Sequence, residues 1–147
     1  MRIVQALPPL FDEIDAAFKV RGRPILFAWG GRIFNPAGVP VPPELMAHER
    51  VHGERQLQGA TDGTAEGEHA IGLWWGCYVK DPVFRFEEEL LAHVAEFKML
   101  CDCQRHAWRS ERNMRRTLVR HVARKLAAPL YGNLINVHEA KQLLLAA

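Results

Sequence analysis

Little in the 147-residue chain would tie it to a membrane or staple it covalently. It has three cysteines, Cys77, Cys101 and Cys103, an odd number that does not make a disulfide framework. Free thiols in a reducing compartment are the expectation. No apolar run approaches the roughly 18–20 residues that cross a bilayer, so no membrane partner is expected. The opening MRIVQALPPLFDEI lacks a basic segment followed by an apolar one, which argues against a secretory signal. Together these absences point to a soluble, cytoplasmic chain. The net charge is only +2, but the signs are segregated. Residues 81–96 carry Asp81, Glu87, Glu88, Glu89 and Glu96 against Arg85. Residues 105–125 carry eight Arg or Lys against Glu111.

What is present fits one ordinary core: 48% of residues are hydrophobic, in a chain of single-domain size. Helical spacing of Leu10, Ile14, Ala17 and Phe18 predicts a short helix over 9–20. ILFAW and RIF flank Gly30-Gly31 and read as an antiparallel hairpin. A proline-rich loop over 35–43 leads to a helix over 44–58, with Gly59 beyond its end. The glycine-rich stretch 59–68 reads as a loop containing His69 at its margin, and a helix follows, bearing Ile71, Leu73, Trp74, Trp75 and Tyr78. Asp81-Pro82 closes that helix; two longer ones are expected from about Val83 to Leu100 and from about Gln104 to Leu126. Residues 129–133 read as a turn. Asn136, with Glu139 three residues on, starts the last helix. The expected class is α+β, mostly helical, with a small antiparallel hairpin sheet beside the helix over 44–58. All 147 residues form one domain, in which 104–147 are a helical C-terminal extension.

The second of these helices contains His48-Glu49-Arg50-Val51-His52, an H-E-x-x-H. Residues four apart share a helix face, so both imidazoles can reach one ion. Glu49 lies about 100° around the helix from His48 and can reach a water on that ion. Zinc lowers the pKa of a bound water to about 7, and a carboxylate can take its proton as the water attacks a carbonyl. A catalytic zinc normally has a third protein ligand. In FRFEEELLAHVAEF, Glu89, His93 and Glu96 form a polar stripe at i, i+4, i+7, beside the apolar line Phe86, Leu90, Val94 and Phe97. One of the three is the expected ligand. Tyr78 and Tyr131 are candidate donors to a developing oxyanion. Trp74 and Trp75 suit core and cleft wall.

Glu89-Leu90-Leu91-Ala92 resembles the E-x-x-A pattern of gluzincins, zinc peptidases whose third ligand is a Glu on a second helix. The resemblance implies the ligand set His48, His52 and Glu89, rather than Glu88, with one zinc per chain and Glu49 as catalytic base. Position 93 is His where many gluzincins have Asp, so His93, like Tyr78 and Tyr131, is a candidate for supporting a ligand or the transition state. Arg55 and Gln58 stand where a metzincin would have Gly and His. WWGCYVKDPVFRFEEELLAH and LAAPLYGNLINVHEAKQLL are similar to small phage- and prophage-encoded metallopeptidases. The resemblance implies a zincin-like fold and hydrolysis of a protein or peptide substrate, in a bacterial or phage-infected cell or on a virion.

Two other readings compete. A catalytically silent zinc protein could serve assembly, with phage structural proteins as partners. A nucleic-acid module could use Arg105, Arg109, Arg112, Arg116 and Arg120, which recur at spacings of four, three, four and four. A solvated helix face is the plainer account of that stripe. Cys101 and Cys103, two apart on a helix, point their thiols away from each other, and with His106 they fall short of the four ligands at C-x₂₋₄-C spacing that a structural zinc wants. The hairpin of residues 25–34 is expected to offer an edge strand to an extended peptide.

Overall fold

The computed structural model describes residues 1–131 and 134–147. Its hairpin pairs β2 (Phe27–Trp29) with β3 (Arg32–Phe34) antiparallel, in the register Phe27↔Phe34, Ala28↔Ile33 and Trp29↔Arg32. Gly30, at φ +55, takes the left-handed turn position that a side chain would strain. The sheet is not the hairpin alone. β1 (Arg2–Val4) adds to β3 in parallel, giving a mixed three-stranded sheet in the order β1-β3-β2. Three residues are too few to show a period of two, which is why β1 escaped the sequence pattern.

α1 (Phe11–Phe18) buries Phe11 and Ile14 under the sheet; it is shorter than expected, because Leu10 and Lys19 bound it in left-handed conformations. α2 (Pro43–Leu57), with a proline at its start, packs against β2. Gly53 permits this approach, since a Cβ there would run into the Gly30 carbonyl. Gln56, 1% exposed, then completes the backbone of β2: its Nε2 donates to Ala28 O at 2.9 Å, and its Oε1 accepts from Gly30 N at 2.8 Å. Trp75 Nε1 also donates to Ala28 O, at 3.3 Å. The expected peptide-binding edge is therefore blocked at the Ala28 carbonyl, which the Gln56 and Trp75 side chains occupy.

α3 (Ala65–Lys80) begins inside the expected loop, because the Thr64 hydroxyl caps it, accepting from Gly67 N at 3.1 Å. His69 accordingly lies on this helix, exposed. Asp81 caps α4 (Pro82–Gln104), accepting from Val83 N at 2.8 Å and Phe84 N at 3.1 Å, with Pro82 as the first helical residue. α4 serves two cores. One gathers Phe11, Ile14, Phe27, Trp29, Ile71, Trp74 and Trp75 around the sheet; the other gathers Phe97, Met114, Val119, Val122, Leu126, Ala140 and Leu144.

The second core is closed by α5 (Glu111–Leu126) and α6 (Val137–Ala146). α5 starts seven residues later than expected, since Ser110 caps it by accepting from Asn113 N at 3.4 Å. A 3-10 turn covers Pro129–Tyr131; Gly132 and Asn133 of the expected turn lie outside the described residues. Asn136 and Glu139 form the expected capping box of α6. No helix among the described residues is long and apolar enough to cross a membrane.

Candidate metal centre

α2 and α4 face one another, and their polar stripes meet between the two cores. From α2 come His48, Glu49 and His52, each less than a tenth exposed; from α4 come Glu88, Glu89, His93 and Glu96, each 2% exposed or less. So dense a group of buried ionisable side chains is stable only if paired or bound to an ion.

His48 Nε2 and His52 Nε2 are 3.1 Å apart. Glu89 Oε1 lies 3.2 Å from His52 Nε2, and Glu89 Oε2 lies 3.5 Å from His48 Nε2. A tetrahedral zinc with ligand distances of about 2.0–2.1 Å separates its ligand atoms by about 3.3 Å. The two imidazoles thus stand near the edge length of such a site, and each has a different oxygen of the Glu89 carboxylate near that distance. Glu89 Oε2 has no hydrogen-bond partner, as expected of an oxygen aimed at an ion.

A second grouping, His48, His93 and Glu96, shares His48 through its other nitrogen. It is looser: His48 Nδ1 is 3.3 Å from Glu96 Oε2, but His93 Nε2 is 3.9 Å away. Charge separates the two groupings. Four buried carboxylates face one another here. Glu88 is held in a two-pronged pair by Arg55, at 2.5 Å for both contacts, and Lys125 of α5 pairs with Glu96. Glu49 and Glu89 have no Arg or Lys partner; the groups facing them are the imidazoles of His48, His52 and His93. Arg85, also buried, is occupied by the C-terminal carbonyls of α3, donating to Tyr78 O at 2.6 Å. With the Lys125 ammonium already on Glu96, a second divalent ion there would overcharge the site. The tighter set, His48, His52 and Glu89, is of the kind that holds a divalent ion such as zinc.

The same geometry separates Glu88 from its neighbour: Glu88 is bound to Arg55, while Glu89 points at the histidines. Around Glu89 the supporting groups are concrete. Tyr78 Oη donates to Glu89 Oε1 at 2.6 Å, and His93 Nδ1 lies 2.8 Å from the Glu89 carbonyl and 3.3 Å from its Oε2. Tyr78 is thereby committed to Glu89 rather than to an oxyanion. Glu96, three residues past His93, stands where a carboxylate would orient His48. Tyr131 packs edge-on against His93, with ring centroids 5.6 Å apart. Trp74 stacks on Tyr78 and tilts over His52, as a wall. Trp75 is core, and Cys77, Cys101 and Cys103 are free and contribute nothing here.

Burial raises the pKa of the Glu49 carboxyl, against the pull of His48 and His52. Burial also works against charge on Glu89, but His52 and His93 outweigh it and hold that carboxyl well below its usual range. His52 is shifted up: burial opposes its protonation, and the Glu89 charge overcomes that. Glu96 is held at about 2, because His48, His93 and Lys125 override its burial. Burial, with Glu89 next, pushes the Tyr78 and Tyr131 hydroxyls well up, so both remain donors.

The centre lies in a cavity of about 250 Å³ whose walls include Phe18, Ile25, Leu26, Leu45 and Leu130. Lys125, Leu130 and Tyr131 show that the C-terminal segment supplies part of the site, beyond being an extension. Lys125, Arg55 and Gln56 had no motif to announce them; each matters through a partner distant in sequence. The arginines diverge from expectation as well: Arg105 and Arg109 lie between α4 and α5, and only Arg112, Arg116 and Arg120 share a helix. No protein-family model, curated protein or solved structure matches this chain.

Proposed function

We propose that the chain is a zinc-dependent metallopeptidase of the gluzincin type with a zincin-like fold, acting on a protein or peptide substrate. The observation that carries the reading is the tetrahedral-edge spacing of His48 Nε2, His52 Nε2 and the Glu89 carboxylate, with Glu49 in the same cavity. Zinc held there would act as a Lewis acid, lowering the pKa of a coordinated water and polarising the scissile carbonyl. Glu49 is the general base. Its raised pKa lets it hold the proton it takes and return it to the leaving amine. Glu89, kept ionised, binds the metal, and Tyr78 and His93 fix its orientation. Glu96 orients His48, and Lys125 balances Glu96. Tyr131, whose protonated hydroxyl also reaches Glu89, is the second candidate donor to an oxyanion. The apolar mouth favours substrates with an uncharged side chain beside the scissile bond.

The depth of the site favours one alternative, a zinc-binding assembly protein without turnover, such as a phage particle component, since the ligands are 2–7% exposed. One experiment separates the two. The purified protein is assayed for zinc content and for cleavage of an unfolded protein, beside Glu49→Gln. One zinc in both, with turnover lost by about 10³-fold or more in the variant, supports the peptidase. One zinc with no turnover in either supports the assembly protein; cleavage that survives in the variant, or a protein that binds no zinc, removes the proposal.

A further inference from the structure

The solvent face of α5 is the strongest charged feature outside the metal centre. Met114, Val119, Val122, Ala123 and Leu126 take one side of the helix into the second core. The opposite side presents Arg116, Arg120 and Arg124 at successive i+4 positions, with Arg112 one step ahead; all four are exposed. At about 1.5 Å per residue, these guanidiniums recur about every 6 Å over about 18 Å. Like charges four apart on a helix repel one another. The usual remedy, an acidic residue within reach, is missing: among the described residues none of the four is in an ion pair. Glu111 is the helix's only acid. Of the other arginines nearby, Arg105 pairs with Asp102 and Arg115 lies over the Phe97 ring.

We infer that this face binds the phosphate backbone of a nucleic acid. A guanidinium presents a planar fork of donors that matches a phosphate, and a regular column of them neutralises a uniformly charged strand. Along one strand of a duplex the charges recur about every 3.4 Å, so an 18 Å column spans about five phosphates of that strand. Trp108, 39% exposed just ahead of the helix, adds a ring on which an unpaired base can stack. A membrane surface fits less well. Basic amphipathic helices bind bilayers by burying their apolar side in lipid, and the apolar side of α5 is already in the protein core. The contacts are to backbone, so the binding carries no sequence preference.

The test is fluorescence anisotropy of the full chain with labelled 20-nucleotide DNA, single-stranded and duplex, between 50 and 200 mM salt. Four phosphate contacts give a log–log slope of about −3.6 on duplex, a loss of affinity on the order of 100-fold across that range. Combined Arg116→Gln, Arg120→Gln and Arg124→Gln flattens the slope to about −1, with a thermal melt that is not lowered, because these side chains are exposed and their mutual repulsion is relieved. Trp108→Ala weakens single strands more than duplex. No binding at 50 mM salt, or binding that the triple variant retains, overturns the inference. So does tighter binding to vesicles containing phosphatidylserine, or to polyglutamate, than to DNA.

Discussion

Alanine in place of glycine is worth opposite signs at two helical positions of this protein. In an open helix the change removes backbone freedom from the unfolded chain and stabilises by about 1 kcal/mol. Gly72 in α3 is such a site, with nothing near the place a Cβ would occupy. At Gly53 the Cβ would sit 2.9 Å from Met1 Cε and well inside contact with the Gly30 carbonyl oxygen. The methionine can move. The carbonyl cannot, because it belongs to the hairpin turn, which Gln56 holds through Gly30 N. α2 must therefore back away from β2. Overpacking of this kind costs about 1–3 kcal/mol, and against rigid backbone the upper end applies, so about 1–2 kcal/mol is lost after the propensity gain.

At about 2–4 °C per kcal/mol for a chain of this size, Gly53→Ala should melt about 2–8 °C lower and Gly72→Ala about 2–4 °C higher. Far-UV circular dichroism of the metal-free proteins measures both. Gly53 follows His52 directly, so the same displacement pulls His52 Nε2 from Glu89, and zinc affinity measured against a chromophoric chelator should fall about tenfold. Equal rises in melting temperature for the two variants would refute the packing of α2 on the hairpin turn.

Two further outcomes follow from the centre's wiring. Glu89→Ala should lose stoichiometric zinc, read by metal analysis, whereas Glu88→Gln should retain it, because Glu88 serves Arg55; zinc lost from both equally would contradict the separation of the two carboxylates. Glu96→Gln should keep one zinc per chain and bind it roughly 10–100-fold more weakly, as expected when a carboxylate that orients a ligand histidine is removed. Without metal, Glu96 has a folded pKa of about 2 against an ordinary 4.5, so the stability it confers is present above about pH 4.5 and is lost as pH falls toward 2. Chemical denaturation of metal-free protein across that window should show an acid limb that is shallower in Glu96→Gln; superimposable limbs would sever Glu96 from its cationic neighbours.

Much of the local structure was legible because short-range geometry has fixed periods. The glycine pair marked the hairpin, Asp81-Pro82 marked the junction of α3 and α4, and Asn136 with Glu139 marked the start of α6. Boundaries failed where a single capping hydroxyl decided them. Thr64 and Ser110 are ordinary loop residues until their oxygens accept from backbone N–H groups, and they moved α3 forward and α5 back. The short β1 has no pattern of its own; it exists because β3 offers it an edge.

The candidate centre divides along the same line. That His48 and His52 share one helix face, with Glu49 around from them, follows from 3.6 residues per turn and needs only the sequence. That Glu89, His93 and Glu96 form a stripe on α4 follows in the same way. Which carboxylate meets the imidazoles, which is neutralised by Arg55 or Lys125, and which hydroxyl is committed to Glu89 depend on how α2, α3, α4 and α5 pack. Those choices are made by side chains 11 to 48 positions apart in the chain, closed into one low-dielectric space where each charge must find a partner. Periodicity along a helix carries no record of that pairing, and only the tertiary structure decides it.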